Sequence, residues 1–361
     1  MRAHIKKHRF IFILALFALL TLIINQFPFL IEKYYSTGLY PWISRISRFF
    51  LGWIPFSVGD IVYAAAALYI IVKIIGFFVR WKKRRLNRPL LLRYGRKILQ
   101  ALMIVYISFN WLWGFNYNRL GSAWQMQLKF EKYTTEQLIQ LTDTLTHRLI
   151  AMDAEAGSRN TYNGPKQLGD ESIKGYDVAA SKFSFLAYIN RSVKPEILYN
   201  GGNYLGFLGY FNPFTSEAQL NTTIPKILLP AVCCHEMAHQ LGYASESEAN
   251  FVGYLACKES KESAFKYSVY YDMFSYAIND LYQRDTSLAI KRIEALPQRI
   301  RDERKLVRTF FRGFKNPFRP FIDWMYDKYL KANSQPKGRE SYNEVVGWMI
   351  AYANKYGWGQ I

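Results

Sequence analysis

The strongest constraint on how this chain can fold lies in its first third, where long apolar stretches alternate with charge. From Phe10 to Ile24 every residue except Thr21 is apolar. Phe27 to Ile31 extends the run, and Arg2, Lys6, Lys7 and Arg9 precede it. A second apolar stretch covers about 54–79, interrupted by Asp60 and Lys73. A third covers about 98–116, with Trp111 and Trp113 at its far end and Tyr117 just beyond, as an interfacial aromatic belt would have. Roughly 20 apolar residues cross a hydrocarbon core, so three transmembrane helices are expected, at about 10–31, 54–79 and 98–116. Asn25, Gln26, Phe27 and Pro28 follow the first stretch and offer no small-x-small cleavage site, so it reads as an uncleaved span rather than a signal peptide. Between the second and third stretches, residues 80–97 hold nine Lys or Arg and no acid. Such a loop is the positive-inside signal. It places the N-terminus in the cytoplasm, in a multi-pass inner membrane protein, and everything after Tyr117 outside the cytoplasm.

The formal net charge of +20 invites a nucleic-acid partner, but its distribution argues against one. Residues 1–116 carry 17 basic against 2 acidic side chains, and residues 117–361 carry 30 against 25. The basicity flanks the apolar stretches, so the lipid bilayer is the expected partner and nucleic acid is not. Half of the residues are hydrophobic, which excludes a disordered chain. Three cysteines are too few for a disulfide scaffold.

Residues 1–116 are therefore expected to be a membrane anchor and 117–361 one extracytoplasmic domain, mainly α with a minor β component. Thr134 to Ala156 reads as an amphipathic helix, with Leu138, Leu141, Leu145, Leu149 and Met152 on one face. Residues 157–177 read as loop and Val178 to Arg191 as helix. Asn200 to Asn212 mixes four glycines with aromatic residues and suits a strand or hairpin. Glu217 to Thr223 reads as a return strand. From Pro230 the pattern is helical, with breaks near Gly242, Pro297, Pro317 and 334–338.

The chemistry is concentrated at 235–250. His235-Glu236-Met237-Ala238-His239 is H-E-x-x-H. Four residues apart on a helix, the two imidazoles share a face and can hold one zinc ion. Glu236, about 100° round from His235, lies beside the metal rather than on it, placed to move a proton from water to a leaving amine. Gly242 suits a helix-ending C′ position. Ser245 followed by Glu248 reads as a capping box opening the next helix, which offers Glu246 and Glu248 as carboxylates near the two histidines. Two residues apart, these point roughly 200° from each other, and the cap gives Glu248 another occupation. Cys234 points away from His235 and is a poor fourth ligand. Cys233, Cys234 and Cys257 read either as free buried thiols or, in an oxidising compartment, as a disulfide from Cys233 or Cys234 to Cys257.

H-E-x-x-H followed by Glu246-x-x-x-Asn250 resembles the gluzincin class of zinc metallopeptidases. The chain is also similar, over nearly its whole length, to a bacterial domain-of-unknown-function family of membrane proteins with an outer zincin-like domain. The segments that carry that similarity are Asn212–Ala218, His235–Gly242 and Glu246–Tyr254, with a weaker echo at 338–342. The gluzincin resemblance implies Zn2+ on His235, His239 and Glu246, with Glu248 as runner-up, water in the fourth place and Asn250 supporting a ligand from behind. It implies Glu236 as the general base. It also implies a strand edge beside the site that pairs with extended substrate. The gap between the two motifs is very short for the class, and Asn250 stands where Asp is commoner. Arg339 and Tyr342 are further candidates for stabilising an oxyanion. The expectation is a membrane-anchored zinc peptidase acting on a peptide or protein outside the cytoplasm. The alternative is an inactive zincin-fold scaffold of the cell envelope.

Overall fold

A computed structural model describes residues 2–155, 162, 164–197, 200–333, 335 and 344–361. Arg339, Tyr342 and most of the break expected at 334–338 lie outside them. In chain order the helices are α1 (Arg2–Ile24), α2 (Pro28–Leu30), a π-helical stretch (Ile31–Leu39), α3 (Tyr40–Leu51), α4 (Val58–Lys82) and α5 (Arg88–Leu112). After a 3-10 turn at Gly114–Asn118 come α6 (Gly121–Gln125), α7 (Thr135–Glu155) and α8 (Pro165–Lys182). A small sheet region follows, with β1 (Val193–Pro195), α9 (Gly201–Leu205), β2 (Gly209–Asn212) and β3 (Glu217–Leu220). The rest is helical: α10 (Leu229–Gln240), α11 (Glu246–Cys257), α12 (Ser263–Arg284), α13 (Thr286–Glu294), α14 (Gln298–Gly313), α15 (Arg319–Ala332) and α16 (Val345–Tyr356). The fold is mainly α with one three-stranded sheet, ordered β1-β3-β2.

The three expected spans need correction. Among the described residues only α4 is by itself long and apolar enough to cross a membrane. Arg9–Ile24 and Pro28–Leu51 meet the same criterion together, but they are bent by 95° at the break between them. The bend has a local cause. Pro28 lacks an N–H and disfavours helical backbone in the residue before it, and Phe27 sits at φ −119°, ψ 75°. The run expected at 10–31 therefore stops at Ile24. The third stretch becomes α5, which starts ten residues early and carries Arg88, Arg93, Arg96 and Lys97 in its first three turns. Along α4, Leu68, Ile71, Val72 and Ile75 are each more than half exposed. An apolar surface of that length is not one that water tolerates.

The start of α4 is fastened to the sheet. Ser57 caps it, its side chain accepting from Asp60 N. The Glu217 carboxylate of β3 accepts from Val58 N at 3.1 Å and Gly59 N at 2.6 Å, and also from Thr215 Oγ1. Negative charge at a helix N-terminus meets both its unpaired N–H groups and its dipole. Lys194 Nζ of β1, 3.5 Å from Glu217, donates to the carbonyls of Leu51, Ile54 and Phe56. Asp60 in turn accepts from Ile197 N and the Tyr210 hydroxyl. The Asn212–Ala218 segment thus serves as the collar of α4. No linker separates the first 116 residues from the rest. Glu32 accepts two bonds from Arg119, at 2.8 and 3.0 Å, and others from Gly121 N and Gln125.

The core lies where α7, α8, α10, α11, α12 and α16 meet. Leu138, Leu141, Leu145 and Leu149 of α7 are all fully buried, as their spacing requires. The reading of 157–191 changes in part, and residues 157–161 and 163 lie outside the described ones. Pro165, at the first position of α8, starts a helix in the stretch read as loop, burying Leu168, Ser172, Tyr176 and Ala179. The stretch read as helix instead ends at Lys182 and runs out towards β1. That three-residue strand, parallel to β3, has no periodicity to announce it. The 200–212 run divides into α9 and the edge strand β2, which pairs antiparallel with β3 from Gly209↔Leu220 to Asn212↔Glu217.

Glu217→Ala should destabilise the full-length protein by about 3 kcal/mol, because it leaves a buried ammonium and two helix N–H groups without their anion. Denaturant unfolding followed by circular dichroism in detergent reads this. A loss below about 0.5 kcal/mol would contradict the collar.

Candidate metal centre

Two helices and one turn build the site. Pro230 opens α10 near its N-terminus, and Gly242 ends it with φ +89°. A Cβ there would lie 2.8 Å from the Tyr40 ring, so both the backbone and the crowding demand glycine. The turn of five residues, Leu241 to Ser245, returns the chain as α11, antiparallel and close. At the crossing a Cβ on Gly253 would stand 2.9 Å from His235 N. Glycine in a helix interior costs about 1 kcal/mol against alanine, and here it lets α11 lie against the backbone of the histidine helix.

The carbonyl end of α10 is satisfied from the N-terminal third. Tyr40 Oη donates to the carbonyls of His239 and Gln240, Ser44 Oγ to Gln240 at 2.7 Å and Trp113 Nε1 to His239 at 3.2 Å. Arg119 donates to the Gly242 carbonyl and lies over the Tyr243 ring. The Gln240 amide donates to the Ser192 and Ser216 carbonyls.

This frame brings His235, His239 and Glu246 together. Glu246 Oε2 lies 3.2 Å from His235 Nε2 and 3.7 Å from His239 Nε2. Among the described residues they form the one group whose donor atoms all lie within 4.8 Å of one another. Zinc bonds of about 2.0–2.1 Å at tetrahedral angles separate ligand atoms by about 3.3 Å, so these donors suit such an ion. Tyr326 Oη of α15 donates to the other oxygen, Glu246 Oε1, at 2.8 Å. His239 Nδ1 faces the Tyr243 carbonyl at 2.7 Å, which fixes the proton there and leaves Nε2 with its lone pair for a metal. His235 Nδ1 is buried without a hydrogen-bond partner, and the charge that reaches it from α12 is Asp272. Glu236 is buried, and its Oε2 has no hydrogen-bond partner. A Cβ on Gly209 would lie 2.8 Å from its Oε1, so Glu236 stands against the edge strand β2.

The electrostatics suit a cation. Burial pushes the Glu236 carboxyl up to about 7, against the pull of His235 and His239. Burial alone would raise Glu246 too, but the two imidazoles beside it hold it well below the usual carboxylate range. Burial opposes charge on His235, yet Glu246 and Glu236 draw it up to about 9. Asp272 is lifted by burial to about 6. A site that draws a proton onto a buried imidazole in this way offers the same field to a divalent ion.

Two expectations change here. Ser245 occupies the N-cap but makes no capping bond, and its Oγ meets Ser247 Oγ instead. Glu248 is not the partner in a capping box. Its carboxylate turns away from the histidines and accepts from Ser122 N, within reach of the Arg119 charge. Asn250 lines the same cavity, and its amide donates to Tyr276 Oη at 3.2 Å rather than standing behind an imidazole. Cys233, Cys234 and Cys257 are all free and buried, so no disulfide staples the two helices. Asp272 and Tyr326 escaped the sequence reading. An acid inside the buried stripe of α12 was a signal for the first. The second is one of 27 tyrosines and gave none.

The site opens into a cavity of about 830 Å³, walled by β2, α15, Trp113 and Tyr63. Gly253→Ala should push the two helices apart and lower stability by about 1–3 kcal/mol, read by thermal unfolding. An unchanged midpoint would contradict the close crossing.

The chain belongs to the family described as a protein of unknown function, DUF3810, whose model matches residues 35–350. No curated protein and no solved structure matches it.

Proposed function

We propose that this protein is a membrane-anchored zinc peptidase that hydrolyses peptide bonds on the non-cytoplasmic face of the bilayer. The observation that carries the reading is the convergence of His235 Nε2, His239 Nε2 and Glu246 Oε2 beside the unpartnered Glu236 oxygen, at the wall of a roomy cavity.

Zinc held there would supply Lewis acidity, polarising a carbonyl and acidifying water. The chain's own groups do the rest. Glu236 takes a proton from the attacking water and delivers it to the leaving nitrogen. The C–N bond breaks, hydroxyl remains on the carbonyl carbon, and the amine departs neutral. β2 is an edge strand, and its outer side offers backbone groups to an extended peptide, which would lie antiparallel or parallel along Gly209–Phe211 with its scissile bond over Glu236. Tyr326 fixes Glu246, and the Tyr243 carbonyl fixes His239. Asp272 lines the same cavity, and its charge reaches His235.

The topology reading rests on α4. Its first turn is bound to the sheet by Glu217, and its last turn carries Arg80 and Lys82, about 37 Å away along the axis. That length spans a hydrocarbon core of about 30 Å. The basic end belongs on the cytoplasmic side, which puts the metal centre outside. In this reading α1 and α5, packed side by side, flank α4 in the anchor.

Glu246→Ala should abolish stoichiometric zinc in the purified protein, and Glu248→Ala should keep it. Asp272→Asn removes a negative charge whose field reaches His235 and should weaken zinc affinity. Competition with a chelator measures all three, and loss of zinc in Glu248→Ala with retention in Glu246→Ala would reverse the ligand assignment. Glu236→Gln should keep zinc and lose hydrolysis of a general peptide library by about 100-fold or more. Undiminished hydrolysis in that variant would refute its role as base, and a wild-type protein that binds zinc but cuts nothing would favour the scaffold reading.

A further inference from the structure

A second cavity, of about 870 Å³, adjoins the metal cavity on its membrane side. Leu22 and Asn25 of α1, Tyr63 of α4, and Leu102, Val105 and Phe109 of α5 help to line it. Tyr63, Phe211, Pro213 and Tyr329 line both cavities, so one layer of side chains separates them. Leu102 and Val105 face this space and are yet 62% and 56% exposed, so it opens sideways through the flank of α5.

Depth and size narrow the occupant. Leu102 lies ten residues before the end of α5, about 15 Å down the axis. The cavity therefore reaches about the depth of one leaflet, half of a core about 30 Å thick. A helix about 10 Å across would fill 870 Å³ within about 11 Å of its length, so a spanning helix does not fit and a hydrocarbon chain does. At the domain end, where Asn25, Asn110 and Asn118 all line the cavity, the walls turn polar. Asn118 Nδ2 donates to Asn25 Oδ1 at 2.8 Å, and Asn25 Nδ2 to Asn110 Oδ1 at 3.0 Å. Carboxamides at that level match the amide or ester that joins an acyl chain to a peptide.

We propose that the second cavity holds the acyl chain of a lipid-anchored peptide and presents the residues next to the lipid to the metal centre. This rests on the peptidase reading and names its substrate class. The Phe211 ring, which lines both spaces, is centred 6.3 Å from the His239 ring. An extended residue covers about 3.3–3.6 Å, so the bond cut lies within about three residues of the acylated one. α15 stands over the junction. Tyr326 holds Glu246, Tyr329 Oη meets Tyr117 Oη at 3.0 Å, and Phe321 and Trp324 stack on one another, each more than half exposed.

The test uses full-length protein in nanodiscs, with a peptide palmitoylated on its first residue, its unacylated twin and palmitate alone. In the Glu236→Gln background the acylated peptide should bind at least about tenfold more tightly than the twin, after subtraction of empty discs. Leu102→Trp and, separately, Leu22→Trp fill the cavity and should each remove that advantage. Val72→Trp, on the open face of α4, should keep it. Zinc content measured in every variant certifies its fold. Wild-type protein should cut the acylated peptide within about three residues of the lipid. Equal binding by the filled variants and Val72→Trp would overturn the proposal, as would palmitate alone binding as tightly as the acylated peptide. Cleavage of both peptides at equal rates would overturn it while sparing the peptidase reading. Selective acyl-peptide binding by a protein that takes up no zinc would uphold the acyl site and refute the peptidase reading.

Discussion

A single buried carboxylate, Glu246, shared between two imidazoles sets the terms for the rest of the structure. A charge in that position is costly unless partners surround it, and every nearby element supplies one. His235 and His239 reach one oxygen and Tyr326 the other. For the three donors to meet, α11 must lie on the backbone of α10, which Gly253 allows, and the chain must reverse within five residues, which Gly242 allows. The Tyr243 carbonyl inside that same turn then fixes the His239 ring. The turn is therefore at once a connection, a helix cap and a support for the site.

The N-terminal third belongs to the same construction. A helix leaves its last carbonyls unpaired, and those of α10 are met by Tyr40, Ser44 and Trp113. The opposite problem, the unpaired N–H groups at the start of α4, is met by Glu217 from the sheet. The N-terminal third and the rest of the chain thus cap one another's helices, and the buried Glu32–Arg119 pair closes the third side. Displacement of the N-terminal third would reach the site through the backbone of His239 itself.

What was legible in the sequence follows from what is local. H-E-x-x-H depends only on helical periodicity, and α7 declared its buried face through leucines three and four apart. The Gly242 stop rests on one residue's backbone freedom. The failures involve longer-range competition. Ser245 and Glu248 match a capping box, but burial beside Arg119 and Ser122 claimed the glutamate first. Residues 157–177 look like a loop by composition, yet Pro165 starts a helix whose small residues let it pack on α10 and α11. The first apolar run is long enough to span, but Pro28 decides where it ends. Asp272 comes to the site from a helix some thirty residues further on, and its only local mark is an acid set among the buried residues of α12.

X-ray absorption at the zinc edge, on the full-length protein purified without added chelator, tests the centre most directly. The proposed zinc site calls for one zinc per chain with only nitrogen and oxygen neighbours, at about 2.0–2.1 Å, two of them imidazole. A sulfur shell at about 2.3 Å, which would bring in Cys233, Cys234 or Cys257, or a spectrum without imidazole scattering, would contradict it.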